Sequence, residues 1–188
     1  MNNLNDFDWS HNPAPEDDGA AAHLAGARLA SVVWPATDGS AVNLASLAGT
    51  TVLYIYPMTG RPGVALPDGW DGIPGARGCT PQSCAFRDHY MELTALGVDH
   101  LYGLSTQTTD DQKEASERMH LPFALLSDAQ CAFGEAMGLP SFQADGMTLL
   151  KRLTLIISEG TVIKTFYPVF PPDRNAAEVI AWLASNNS

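Results

Sequence analysis

The chain has 188 residues, 45% of them hydrophobic, with 21 acidic against 10 basic side chains and a formal net charge of -11. That length supports one sizeable core rather than two full domains, and a charge of that sign repels phosphate backbones and anionic lipid surfaces, so neither nucleic acid nor membrane is an expected partner. Three cysteines are too few, and odd in number, for a structural disulfide framework; they suit redox or nucleophilic chemistry, or plain burial.

Residues 1–24 mix Asn, Asp, Pro and Gly without a sustained period and read as an N-terminal tail, pinned through Phe7 and Trp9. Residues 1–20 have neither the basic start nor the apolar stretch of a secretory leader, and no run reaches the roughly 18–20 apolar residues that span a bilayer, so the expected compartment is the cytoplasm. The domain proper is read as 25–188. ARLASVVW and AVNLASL are two short strands of an opening hairpin, joined at Asp38-Gly39. TVLYIYP, residues 51–57, is a continuous apolar run stopped by Pro57, which suits a strand buried on both faces. Residues 58–78 are rich in Gly and Pro, contain Trp70, and form a loop long enough to imply a task of its own.

CTPQSCAFRDHYMELTALG then carries a helix signature: Thr80 as a cap, Pro81 early, and Phe86, Tyr90, Leu93 and Leu96 as an apolar stripe before Gly97. VDHLYGLS reads as a strand, DDQKEASERMH as a polar helix, FALLS as a strand, and DAQCAFGEAMG as a short helix capped by Asp128. RLTLIIS and TVIKTFY alternate around Glu159-Gly160 as a hairpin, and DRNAAEVIAWLAS closes as an amphipathic helix. Strands alternating with helices give an α/β class with a mixed central sheet.

The chemistry is concentrated in RGCTPQSCAFRD. Cys79 falls where a helix begins, so unpaired backbone N–H groups and the positive end of the helix dipole favour a thiolate there. Arg77, two residues away, and Arg152, on a strand, are guanidinium groups able to act in the same direction. An exposed thiolate that cleaves a peroxide becomes a sulfenic acid, which needs resolving before it overoxidises, and Cys84 is the nearby candidate. Along one helix, however, five residues separate two side chains by about 7.5 Å of rise and roughly 140° of rotation, against the ~4.4–6.8 Å Cα separation of a disulfide. A bond between them therefore requires residues 79–86 to unwind. Cys131 reads as a buried, inert thiol on an apolar helix face. The five histidines are scattered and form no short-spaced ligand set, and no phosphate-binding glycine loop occurs, so neither a metal nor a nucleotide cofactor is expected.

GCTPQSCAFRDHY resembles the active-site stretch of peroxiredoxins of the bacterioferritin-comigratory or Q type. The order of VLYIYP, LLSDAQ, RLTLII and the closing helix is similar to that family over roughly residues 25–185. The resemblance implies a thioredoxin-like fold, reduction of hydrogen peroxide and organic hydroperoxides, Cys79 as the peroxidatic and Cys84 as the resolving cysteine, and recycling by thioredoxin or a similar dithiol protein. It also implies that Arg152, preceding a T-x-I strand, holds the peroxide and the thiolate. Monomers and dimers both occur in the family, and the composition does not choose between them.

Two departures from the family pattern bear on activity. The family hydroxyl three residues before the peroxidatic cysteine is replaced by Ala76, and that hydroxyl is a hydrogen-bond donor to the peroxide. Pro57 looks like the family's active-site proline, yet Cys79 follows it by 22 residues rather than seven, an insertion of about fifteen. If the insertion folds back, Thr59 supplies a substitute hydroxyl, and Trp70 forms a lid over the pocket or docks a partner. Two rival readings stand beside the peroxidase. A disulfide reductase of the thioredoxin type would carry a C-x-x-C pair. A redox sensor or binding protein would keep the fold with little peroxidase turnover.

Overall fold

The computed structural model describes residues 7–186. Its central sheet is built on β3 (Thr50–Ile55), which pairs in parallel with β4 (His100–Ser105) and antiparallel with β8 (Leu153–Ser158). β5 (Leu125–Ser127) continues the sheet beyond β4 in parallel, and β9 (Thr161–Phe166) closes the opposite edge antiparallel to β8. The result is a five-stranded mixed sheet in the order β5-β4-β3-β8-β9.

Side chains of β3 alternate between two apolar layers, as the pleat requires. Leu53 and Ile55 join Trp34, Phe133 and Leu155 on one face. Val52 and Tyr54 join Phe86, Leu93, Val179 and Leu183 on the other. This second face is covered by α1 (Cys79–Asp88), α2 (Tyr90–Ala95) and α5 (Asn175–Asn186). Tyr54 anchors it: its ring stacks on Phe86 at 4.6 Å, and its hydroxyl donates to Ser83 at 3.0 Å. α3 (Thr109–Met119) begins at Thr108, whose Oγ1 accepts the Asp111 N–H, and packs by β5. α4 (Ala132–Met137) lies on the first face, where Asp128 accepts the N–H groups of Phe133 and Gly134 at 3.0 and 2.9 Å.

The mixed α/β architecture and the closing β8–β9 hairpin follow the sequence reading; several local details do not. The opening hairpin shrinks to β1 (Trp34–Pro35) and β2 (Ala41–Val42), because Arg28 and Leu29 pair with Thr161 and Gly160 instead. The helix expected over 79–97 is interrupted at His89, which separates α1 from α2. Thr80 is not the cap of α1. That place is held by Gly78, at φ 111°, with no side-chain capping bond. A second hairpin, β6 (Ser141–Ala144) and β7 (Met147–Leu150), turns at Asp145-Gly146 in a stretch to which the sequence pattern assigns no element.

Residues 58–78 are folded onto this second hairpin. Trp70 is buried with Ala76, Ala144 and Leu149 in a small apolar cluster of its own. The N-terminal segment is likewise tied down: Trp9 is buried, and Asp18 accepts from the Lys151 ammonium and the Tyr167 hydroxyl, each at 2.8 Å.

Candidate active site

Cys79 is the first residue of α1. A side chain added at Gly78 would lie 2.3 Å from Pro172 and 2.7 Å from Trp9, so these two residues press directly on the turn that delivers the cysteine. The positive φ of Gly78 swings the chain into the helix, and with no side-chain cap the first-turn N–H groups are left for whatever negative charge develops nearby. The Cys79 side chain is 4% exposed, and its thiol faces the Ala76 carbonyl at 3.7 Å.

Arg152, immediately before β8 and 3% exposed, reaches the sulfur from the sheet. Its Nη2 donates towards Cys79 Sγ at 3.2 Å and towards the carbonyls of Gly75, Ala76 and Arg77 at 3.2–3.3 Å. One Nη2 carries two hydrogens, so these acceptors share it, and a thiolate would compete best among them as the charged acceptor. Nη1 donates to Gln82 Oε1 at 2.5 Å. Gln82 in turn donates to Asn175 Oδ1 at 3.0 Å, and that same oxygen accepts from the Thr154 hydroxyl at 2.6 Å. Gln82, Thr154 and Asn175 are all fully buried. This polar chain fixes the guanidinium plane, and none of its three members was picked out from the sequence. The signal for Gln82 was its place three residues after Cys79, on the same side of α1.

The other candidates fall in different places. Cys84 is half-buried and lines a cavity of about 700 Å³ with Arg87, Asp88 and Arg174. Partial burial pushes its thiol above the ordinary value, more than the Arg87 guanidinium draws it back. Cys79 lines a different cavity, of about 260 Å³. All three cysteines are free thiols. Cys131 precedes α4 with φ 56° and is partly exposed, so it occupies a turn rather than a helix face. The Arg77 guanidinium pairs with Asp71; its carbonyl, not its side chain, takes part in holding Arg152. Pro57 is buried at the end of the β3 run. Thr59 is buried too, but its hydroxyl donates to Gln107 Oε1 at 3.2 Å and it does not line the cavity at the sulfur. Trp70 does line it. Among the described residues around that cavity, Thr80 carries the one hydroxyl.

Residues 24–180 match the redoxin family. The chain is 31% identical over 153 residues to peroxiredoxin Bcp of Escherichia coli K12, covering 79% of this chain and 88% of that relative. This chain belongs to the redoxin family, in its peroxiredoxin Q/Bcp branch. It is also 31% identical over 150 residues to the chloroplastic peroxiredoxin Q of japonica rice, 79% of this chain and 61% of the relative, so it spans about three-fifths of that plant protein's length. Among solved structures, peroxidoxin BcpB of Mycobacterium tuberculosis superposes with a TM-score of 0.70 at 25% identity, covering 88% of this chain and 99% of that one. The redoxin fold is the thioredoxin-like one anticipated from the sequence. In this redoxin no described helix is long and apolar enough to cross a membrane.

Proposed function

We propose that this redoxin is a thiol peroxidase in which Cys79 is the nucleophile, Arg152 its electrostatic partner and Cys84 the resolving thiol. The observation that carries the proposal is the 3.2 Å approach of a buried guanidinium N–H to the sulfur of a cysteine at the first position of a helix. The Cys79 thiolate attacks the terminal oxygen of R–O–OH, the O–O bond breaks, and the alkoxide leaves and takes up a proton as R–OH. Cys79 is thereby oxidised to the sulfenic acid. The Arg152 Nη2 hydrogens, already aimed at the sulfur, face the charge that develops on the peroxide oxygens.

Cys84 then attacks the sulfenic sulfur, releasing water and forming the disulfide. Cys79 and Cys84 open into different cavities across an intact α1, so this step requires the first turns of the helix to unwind. A dithiol protein such as thioredoxin, acting in the cytoplasm, returns both thiols by exchange. Its own dithiol is oxidised in the process.

Stopped-flow reaction of the reduced protein with hydrogen peroxide, followed by Trp fluorescence and intact mass, tests the scheme. Wild type is expected to lose two hydrogens, and Cys84→Ser to stop one oxygen heavier. Cys79→Ser is expected to show no fast phase. Oxidation of wild type no faster than a free thiol would refute the peroxidase. The Ala76 side chain at the sulfur cavity, where the family pattern has a hydroxyl, favours the sensor or binding reading in that event.

A further inference from the structure

The cavity at Cys79 is walled largely by apolar side chains from two segments that lie outside the sheet and its helices. The N-terminal segment supplies Phe7 and Trp9, and the inserted loop supplies Met58, Leu66 and Trp70. Its volume of about 260 Å³ is about nine times the ~30 Å³ that one water occupies in the liquid, far more than hydrogen peroxide fills. Leu66 and Phe7 stand at the rim, 39% and 44% exposed, and Phe7 lies on Trp9 at 4.3 Å between ring centroids. Trp70 is held from behind by Phe142, Ala144 and Leu149, so that wall is braced. Arg77 is the one cationic side chain among the described residues lining the cavity, and its guanidinium is already paired with Asp71.

We infer that the inserted loop and the N-terminal segment together form a specificity subsite for the uncharged, apolar organic part of a bulky hydroperoxide, with Leu66 and Phe7 as its specificity-determining residues. The inference rests on the peroxidase reading above and goes beyond it in assigning the substrate class to particular side chains. An apolar substituent entering beside the sulfur exchanges water for Phe7, Met58, Leu66 and Trp70, and brings the hydroperoxide oxygen to Cys79. A carboxylate on the same substituent finds no unpaired cation among these residues and meets a chain of net charge -11.

The test compares kcat/KM for cumene hydroperoxide, for its ring-carboxylated analogue and for hydrogen peroxide, in wild type, Leu66→Ser and Phe7→Ser. The readout is the ratio of each organic rate to the hydrogen peroxide rate, which cancels any general loss of active protein. Each variant is expected to lower the cumene-to-hydrogen-peroxide ratio about fivefold, the effect of removing part of one apolar contact, and wild type is expected to prefer cumene hydroperoxide to its carboxylated analogue. An unchanged ratio in both variants, or a wild-type preference for the carboxylated peroxide, would overturn the subsite while leaving the peroxidase intact. A wild-type protein inert towards all three peroxides overturns the peroxidase reading and the subsite with it.

Discussion

Replacing Arg152 separates the charge of the guanidinium from its shape. Lysine at this position keeps a positive charge near Cys79, but a single ammonium group does not span both Gln82 Oε1 and Cys79 Sγ, which Arg152 reaches through different nitrogens at 2.5 and 3.2 Å. A hydrogen bond to a charged group contributes about 1.5–3 kcal/mol. Losing the one aimed at the sulfur in Arg152→Lys therefore slows Cys79 oxidation by about 10- to 150-fold. Arg152→Met removes the charge as well and falls at or beyond the slow end of that range. Arg152→Met also strands the buried Gln82 oxygen at a cost of about 1–3 kcal/mol in stability, read as a lower urea midpoint at unchanged slope. The rates come from stopped-flow Trp fluorescence of pre-reduced protein at several peroxide concentrations. If Arg152→Met oxidised within about threefold of wild type, roughly 0.6 kcal/mol in the barrier, the guanidinium would not be the sulfur's electrostatic partner.

Three further outcomes follow from neighbouring features. Gly78→Ala forces a left-handed residue to carry a Cβ 2.3 Å from Pro172; it is expected to cost about 2–4 kcal/mol in urea unfolding, and an unaffected midpoint would show that the Trp9–Pro172 contact yields freely. Cys84 has a folded-state pKa raised above its ordinary value of 9.0, so its contribution to stability is complete below that value and is lost as pH rises through the higher folded one. Wild type should therefore lose more stability above about pH 9 than Cys84→Ser, and parallel pH profiles from urea melts would contradict this. Asp18, held well below the ordinary carboxylate range chiefly by the Lys151 hydrogen bond and then by that of Tyr167, supports the N-terminal segment above that range and ceases to as pH falls through its depressed folded value. Asp18→Asn is expected to speed proteolytic cleavage between residues 9 and 18 at neutral pH; equal cleavage rates would remove Asp18 as the fastening.

The sequence disclosed those parts of the site whose signals are local. Cys79 was legible because helix-start residues and an apolar stripe follow it directly. The β3 run was legible because six successive apolar or β-branched residues allow few alternatives. Asn175 and Thr154 were not, since their significance lies in bonds between residues up to 93 apart, and Gln82 offers only its place on the Cys79 side of α1, which says nothing of the groups opposite. The same limit applies to Thr59, which pairs with Gln107 across 48 positions, and to Trp70, whose cluster with Ala144 and Leu149 exists only once loop and hairpin meet. The β6–β7 hairpin is a different case. Asp145-Gly146 between two short alternating runs is a local turn signal.

The two cavities flanking α1 share a partition. Phe7, Trp9, Thr80 and Pro81 line both the space at Cys79 and the space at Cys84. Thr80 and Pro81 belong to the turn that must unwind for the disulfide to form, and Trp9 rests on Gly78 just before it. Disulfide formation on that route takes down the wall between the rooms and, with it, the peroxide's berth beside Arg152. The oxidised protein would then be blind to a second peroxide until reduction rebuilds the partition, so the architecture that admits the oxidant also limits it to one visit per cycle.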